Sequence, residues 1–264
     1  DMLCQFTVKN FKSIRDEVTF DMQAAAISEH EDRIIIDKDE QKYLPVSAVY
    51  GPNGGGKSNV LAALHTLVAK VLRPLLATED SEEKVLLQRK IIVEPFAFSK
   101  SKDEPTEFEL FFRTTVSEYR YILHVKRDIV LYESLDRVKL ETGRKSALFT
   151  RDENGIVLKG AFAKLKVSDE LSKTLTLLSY LGIAYKGNAV VKDVLSWFEY
   201  GIEFLNYGNP IQELKMAVST SEDVKKLMLQ MIQEMDLDIV DFRVEEKENE
   251  RTNIFTKHCV DDVE

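Results

Sequence analysis

The chain has 264 residues, of which 44% are hydrophobic and 31% are charged, so it can form one large domain or two modest ones with a sizeable core. Its 45 acidic residues outnumber its 36 basic ones and give a net charge of −9. That sign argues against a protein whose whole surface binds nucleic acid, although a local basic patch stays compatible with it.

The positions of the two cysteines and the lengths of the apolar runs indicate where in the cell the protein is expected. Cys4 and Cys259 stand near opposite ends of the chain, which fits a reducing compartment better than a disulfide scaffold. No run approaches 18 consecutive apolar residues, and the first residues lack a signal-peptide pattern. We therefore expect a cytoplasmic protein with no membrane segment.

The first predicted elements are strands. Residues 3–14 alternate apolar and polar side chains and predict a strand that enters a turn, and residues 17–20 predict a second strand. Residues 43–51 form a short apolar run that is typical of a buried strand. The helix that follows is expected to end at Pro74 and to carry His65 on its surface. Its apolar stripe consists of Val60, Leu61, Leu64, Leu67, Val68, Val71 and Leu72.

The sequence pattern in the middle of the chain predicts an antiparallel meander. Residues 77–90 are polar and predict a surface connection. From residue 91 to about residue 158, short segments rich in β-branched and aromatic residues alternate with turn-like stretches. The first of these segments is the one at residues 91–98.

Helical periodicity returns at about residue 168. A first helix is expected to end with Gly182 as its C-cap, and a second is expected at residues 190–205. A third is expected at residues 219–235, where Ser219 and Glu222 have the spacing of a capping box. The segments that begin at residues 239 and 252 predict a final hairpin.

A glycine-rich loop lies between the predicted buried strand and the first predicted helix. Residues 51–58, GPNGGGKS, match the phosphate-binding pattern G-x-x-x-x-G-K-[ST]. Glycines permit positive φ and leave no Cβ in the way of a phosphate, so consecutive N–H groups can surround an anion at the helix N-terminus. In such a loop Lys57 reaches the β- and γ-phosphates, and the Ser58 hydroxyl binds Mg²⁺. The alternative is a glycine turn that matches the pattern by chance.

Other nucleotide-binding classes fit less well. No N/T-K-x-D guanine-recognition motif is found, and residues 152–155, which fit the GTPase pattern D-x-x-G, are more simply a turn between two strands. The long antiparallel stretch argues against a small-molecule kinase. An ATPase needs an apolar strand that ends in an acid, but Glu94 is followed directly by Pro95, and the segment 238–241 carries an acid inside it. No L-S-G-G-type signature is found.

The sequence predicts no metal cluster and no nucleophile set. The four histidines, His30, His65, His124 and His258, are scattered. His258 next to Cys259 lacks a second pair of ligands at a suitable spacing, so we expect an ordinary pair of strand residues.

Three stretches together resemble the SMC/RecF-like branch of the ABC-type ATPases: FTVKNFKSIRDEVTF, VYGPNGGGKSNVLAAL, and VEPFAF with PTEFELFF after it. More narrowly, they are similar to the ATP-binding proteins grouped with RloA, PtuA and the OLD nucleases. The resemblance covers nearly the whole chain from Met2. It implies an α/β P-loop NTPase fold, namely the N-terminal lobe of an ABC-type head with an antiparallel β subdomain and a helical insertion.

The same resemblance implies an order of segments. Residues 1–76 would be the P-loop core with the first strands, and residues 77–160 the antiparallel β lobe. Residues 161–240 would be the helical insertion, and residues 241–264 the return strands of the head. Because the signature and the acid-ending strand follow these parts in the family, we expect the chain to be the N-terminal portion of a longer ATPase.

The family's site residues transfer onto this sequence at several positions. Asn59 would begin the helix behind the phosphates, and Lys12 and Ser13 lie in a stretch, NFKS, that is near the nucleotide in relatives. The family's glutamine loop should lie near residues 94–98, where no glutamine is found; Gln88 is the nearest candidate for the metal shell. The implied cofactors are ATP and Mg²⁺. The implied binding residues are Asn53, Gly54, Gly55, Gly56, Lys57, Ser58, Asn59, Lys12 and Ser13.

The resemblance also implies partners. Two heads would sandwich ATP as a homodimer, and the work would be DNA-linked, as in bacterial anti-phage defence with a fused or separate nuclease. An alternative is a regulatory module that binds ATP without hydrolysing it, because this chain shows neither a general base nor a signature motif. A third alternative is a structural domain that binds no nucleotide.

Overall fold

A computed structural model describes residues 1–25, 31–53, 55–76, 91–98, 100–168, 171–204, 226, 229–230, 239–245 and 253–258. The chain divides into two compact units, Asp1–Ile202 and Glu203–Glu264. The predicted surface connection at residues 77–90 lies outside the described residues.

A seven-stranded antiparallel sheet is the framework of the first unit. It contains β1 (Met2–Lys9) and β2 (Val18–Asp21), and a separate pair is formed by β3 (Ile35–Ile36) and β4 (Lys42–Tyr43). The sheet continues with β5 (Thr106–Arg113), β6 (Ser117–Lys126), β7 (Ile129–Lys139), β8 (Lys145–Asp152) and β9 (Gly155–Leu158). Its strand order is β2-β1-β5-β6-β7-β8-β9. The predicted meander is confirmed from residue 106 onward, and the two predicted N-terminal strands extend the same sheet.

The sheet has one buried face, as the alternation in the sequence predicts. On β6 the side chains of Tyr119, Tyr121 and Leu123 are buried, whereas Arg120 between them is exposed. Successive side chains of a strand point to opposite faces, so one face of the meander is covered and the other meets solvent.

Three α-helices of the first unit are described: α1 (Lys57–Leu76), α2 (Leu177–Ala184) and α3 (Ala189–Tyr200). On α3, the Trp197 ring lies 4.6 Å from the Phe112 ring of β5, centroid to centroid, and Phe198 packs edge-on against Tyr121 at 5.9 Å. Helices α1 and α2 are joined by a 2.7 Å hydrogen bond from Ser179 Oγ to the Val71 carbonyl. The core therefore lies between the sheet and these helices.

Helix α1 is, among the described residues, the one helix long and apolar enough by length and composition to cross a membrane. Six of its residues are buried in the protein: Ala63, Leu64, Leu67, Val68, Lys70 and Val71. Burial of one helix face inside a domain accounts for this composition. The predicted position of His65 on the surface of α1 is confirmed, because this residue is exposed.

The buried carboxylate of Glu133 joins the sheet to α2. Its two oxygens accept hydrogen bonds from the backbone N–H groups of Leu177 at 2.6 Å and Leu178 at 2.9 Å, and from the Tyr121 hydroxyl at 2.9 Å. Thr176 is the N-cap of α2 and accepts from Ser179 N. The first N–H groups of α2 are thus satisfied by a side chain from β7, which fixes where the helix begins.

The predicted buried strand at residues 43–51 is wrong. β4 ends at Tyr43, and the residues after Leu44 join no ladder among the described strands. Instead they are exposed: Val46 is 77% and Tyr50 is 90% exposed. An apolar run predicts a buried strand only where a neighbouring strand and a covering layer are supplied, and the described residues supply neither here.

Two predicted helix ends are also wrong. Pro74 lies inside α1, which continues for two more residues to Leu76, although proline has no N–H for the helical hydrogen-bond ladder. Gly182 lies inside α2 and is not its C-cap, which is Tyr185. A Cβ on Gly182 would come within 2.6 Å of side-chain atoms of Leu195 and Leu75, so the glycine permits close packing of the three helices.

Residues 91–98 form no strand, contrary to the prediction. Their backbone is held by single hydrogen bonds, of which one runs from Val93 N to the Arg127 carbonyl at 2.8 Å and another from Lys12 N to the Glu94 carbonyl at 3.0 Å. The expected turn at residues 152–155 is confirmed: it joins β8 to β9, and Asn154 N donates to Asp152 Oδ1 at 2.8 Å.

In the second unit, β10 (Ile239–Glu245) and β11 (Asn253–His258) pair antiparallel, which confirms the predicted hairpin. The helix expected at residues 219–235 lies almost wholly outside the described residues, of which Lys226, Leu229 and Gln230 are helical. The second predicted helix is α3 and is confirmed with an earlier end. The four-segment division of the chain stays a prediction.

Candidate nucleotide-binding site

The glycine loop forms a tight turn before α1. Gly55 N donates a 3.1 Å hydrogen bond to the Pro52 carbonyl, which closes a four-residue turn. Gly56 has φ +88°, in the left-handed region that favours glycine. Its carbonyl accepts from Asn59 N at 2.9 Å and from Val60 N at 3.3 Å, and these bonds begin the helix.

The loop has no room for side chains at its last two glycines. A Cβ on Gly55 would lie 3.0 Å from the Pro52 carbonyl oxygen, and a Cβ on Gly56 would lie 3.1 Å from Ser13 Oγ. Gly54 lies outside the described residues. The backbone path of the loop therefore requires glycine at positions 55 and 56.

Lys57 folds back over the loop. Its Nζ donates to the Gly51 carbonyl at 2.6 Å and to the Pro52 carbonyl at 2.7 Å. An ammonium has three donors, so one donor is available beyond these two contacts. The positive charge is thus held above the turn by the loop that precedes it.

The start of α1 also supplies backbone N–H donors that have no acceptor among the described residues. No described residue accepts a hydrogen bond from the backbone N–H of Gly56, Lys57 or Ser58. A helix N-terminus with unsatisfied N–H groups carries a partial positive charge and suits an anion. Together with the Lys57 ammonium and the exposed Ser58 hydroxyl, this arrangement fits a Mg²⁺-bound polyphosphate.

The N-terminal turn lies against this loop. Phe11 and Ile14 exchange backbone hydrogen bonds of 2.8 and 2.7 Å around Lys12 and Ser13, which form the tip of a tight hairpin. Ser13 Oγ accepts a 2.7 Å hydrogen bond from Asn59 Nδ2. The structure therefore brings Ser13 to the loop, whereas the Lys12 ammonium lies 5.5 Å from the Phe11 ring centroid.

Asn10 organises this turn, and the sequence prediction missed it. It is 1% exposed and has φ +56°. Its Nδ2 donates to the Glu104 and Pro105 carbonyls, both at 3.1 Å, and its Oδ1 accepts from Phe96 N at 3.0 Å. An asparagine after a strand is a signal for a left-handed residue, because its short amide tolerates that conformation.

None of the described groups with a shifted pKa lies in residues 51–59. Burial raises the pKa of the Cys4 thiol to about 12, so this cysteine is unreactive. No group of three or more His, Cys, Asp or Glu residues that could hold a metal occurs in the described part of the chain.

The predicted site residues divide into two sets. Ser13 of the N-terminal turn is hydrogen-bonded to Asn59, next to Gly55, Gly56, Lys57 and Ser58 of the loop. Asn53 lies in the loop without a described side-chain contact, and the Lys12 ammonium lies over the Phe11 ring. Gly54 and Gln88 lie outside the described residues. What these residues bind stays a prediction.

Comparison with protein families identifies a family to which most of the first unit belongs by sequence. Residues 46–191 match the family described as "AAA domain, putative AbiEii toxin, Type IV TA system". No curated protein matches the sequence. Because the match spans more than half of the chain, the protein belongs to this family of AAA-type P-loop ATPases, and membership indicates ATP binding.

Proposed function

We propose that this member of the AAA family binds ATP and Mg²⁺ through residues 51–59 and serves as the nucleotide-binding lobe of an ABC-type head. Two observations support the proposal: the loop carbonyls of Gly51 and Pro52 hold the Lys57 ammonium, and the N–H groups of residues 56–58 at the start of α1 have no acceptor among the described residues. Such a set of donors is suited to phosphates.

Each residue has a role that its chemistry allows. The backbone N–H groups of the loop would hold the phosphate oxygens, and Lys57 would turn its ammonium toward the β- and γ-phosphates. The Ser58 hydroxyl would hold Mg²⁺, which when bound neutralises phosphate charge. Asn53 and Asn59 flank the loop and would help to keep its shape.

We further propose that two such heads dimerise around ATP, and that the work is DNA-linked, as in bacterial anti-phage defence with a nuclease module or partner. The support for this step is the resemblance of residues 6–20, 49–64 and 93–112 to SMC/RecF-like ATPases. ATP would then act as part of the interface, and its hydrolysis would release the two heads.

The dimer is tested by sedimentation velocity with and without Mg-ATP. The proposal predicts a larger species with ATP for the wild-type chain and no such species for Lys57→Ala. Monomers under both conditions, at protein concentrations up to about 100 μM and with saturating ATP, would contradict dimerisation.

A non-hydrolysing regulatory module is the second candidate. It is favoured by one observation: among the described residues, no carboxylate side chain is hydrogen-bonded to residues 51–59. Steady-state phosphate release separates the two candidates. Turnover that disappears in Lys57→Ala would support an ATPase, whereas ATP binding without turnover would support the regulatory module.

A further inference from the structure

Ser13 lies against the phosphate-binding loop and the first turn of α1. The Asn59 amide donates a 2.7 Å hydrogen bond to Ser13 Oγ, and a Cβ on Gly56 would lie 3.1 Å from the same oxygen. Asn59 N in turn donates to the Gly56 carbonyl at 2.9 Å. Ser13 is thus hydrogen-bonded to Asn59 and leaves no room for a side chain at Gly56, and these are the two residues of the backbone hydrogen bond that begins α1.

The turn that carries Ser13 is itself firmly held. The buried Asn10 amide binds backbone groups of Phe96, Glu104 and Pro105, and Thr106 Oγ1 donates to the Asn10 carbonyl at 2.5 Å. Lys12 N donates to the Glu94 carbonyl. The tip at residues 12–13 is therefore a fixed point on the sheet against which the loop can be positioned.

We propose that Ser13 and Asn59 are positioning residues for the phosphate-binding loop. Their hydrogen bond fixes the rotation of the first turn of α1 against the N-terminal turn, and it thereby aims the N–H groups of residues 56–58 at the phosphates. The inference rests on the proposed ATP site. In this role neither side chain needs to touch the nucleotide.

The effect is expected on binding more than on folding. Asn59 is half-buried and Ser13 is exposed, so their hydrogen bond competes with water and contributes little to the stability of the whole unit. Loss of the bond frees the first helical turn to rotate. N–H donors bind an anion well only when their direction is right, so affinity falls while the fold persists.

A double-mutant cycle tests the proposal. Dissociation constants for Mg-ATP are measured by calorimetry for the wild-type chain, Ser13→Ala, Asn59→Ala and the double variant. Each single change should weaken binding about fivefold, the equivalent of one hydrogen bond, and the double variant should be no weaker than either single one. Additive losses would overturn the proposal, because the two side chains would then act independently.

An isosteric pair separates the hydrogen bond from side-chain shape. Ser13→Thr keeps the acceptor oxygen and Ser13→Val removes it at nearly equal volume. With Asn59 present, the Ser13→Thr variant should bind ATP about fivefold more tightly than the Ser13→Val variant. In the Asn59→Ala background the two variants should bind ATP equally. The unfolding midpoints of the ATP-free proteins should be alike. Equal affinities of Thr and Val with Asn59 present would overturn the inference. A wild-type chain that binds no ATP would overturn the proposed function together with it.

Discussion

Gly56 and Gly143 both have positive φ, +88° and +64°, where a residue with a Cβ is strained. Their surroundings differ. A Cβ on Gly56 would lie 3.1 Å from Ser13 Oγ, whereas a Cβ on Gly143 would meet nothing within 4 Å. The two glycines thus share a positive φ and differ in their contacts.

This difference gives a prediction for alanine substitutions. Both Gly56→Ala and Gly143→Ala should lower the free energy of unfolding by about 1 kcal/mol, because a residue with a Cβ is disfavoured at positive φ. Only Gly56→Ala should also weaken ATP binding, by roughly tenfold, because it displaces the loop from Ser13. Calorimetry and thermal unfolding measure the two effects. Unchanged ATP affinity in Gly56→Ala would contradict the described loop geometry.

Protonation of His124 is expected to make the stability of the folded protein depend on pH. It lies on β6 with its ring 5.1 Å from the Tyr132 ring, and burial lowers its pKa more than Glu107 raises it. Between this lowered pKa and the ordinary value of about 6.5, the unfolded chain binds more protons. The contribution of neutral His124 to stability is therefore complete above about pH 6.5 and is lost as the pH falls through that window.

Urea unfolding at pH 7 and at pH 5 measures this effect. Wild-type protein should lose more stability over that interval than His124→Phe, which keeps an aromatic ring and removes the titration. The same loss in both proteins would show that His124 is not responsible.

At the scale of elements, the junction between β7 and α2 depends on Glu133. Its carboxylate satisfies the N–H groups of Leu177 and Leu178 and is fully buried. Burial raises the pKa of Glu133, and hydrogen bonds from the two backbone N–H groups oppose that rise. A helix N-terminus buried without these partners would carry unsatisfied donors.

Glu133→Gln should therefore lower the free energy of unfolding by about 1–3 kcal/mol, because an amide nitrogen would face a buried N–H. Glu109→Gln is the matched control. Glu109 forms a 2.5 Å ion pair with Arg120 at the surface of the sheet, and its loss should cost no more than about 1 kcal/mol. Chemical denaturation measures both, and equal losses would contradict the capping role of Glu133.

The elements also show what a sequence can predict. The meander is predictable because its alternation of buried and exposed side chains is visible locally. The start of α2 is not, since Glu133 lies 44 residues before Leu177. The role of Gly182 depends likewise on Leu75 from another helix. The exposed run at residues 45–50 escaped prediction because apolar composition does not say whether a partner strand is present.

At the scale of the whole molecule, the candidate site joins distant parts of the chain. The motif at residues 51–58 and its helix are predictable from spacing alone. Asn59 and Ser13 are 46 residues apart, and the buried network of Asn10 spans still longer separations. Such contacts depend on the tertiary fold, so the resemblance to SMC/RecF-like ATPases could indicate Lys12 and Ser13, while Asn10 required the structure.

Calorimetric titration of the chain with Mg-ATP tests whether residues 51–58 form an ATP site. Lys57→Ala removes the ammonium above the loop, and Lys192→Ala removes an exposed ammonium from α3 as a control. We expect ATP binding by the wild-type chain and by Lys192→Ala, loss of binding in Lys57→Ala, and circular dichroism spectra that are the same for all three. Equal ATP affinity in wild-type and Lys57→Ala proteins, or no binding by the wild-type chain, would contradict this expectation.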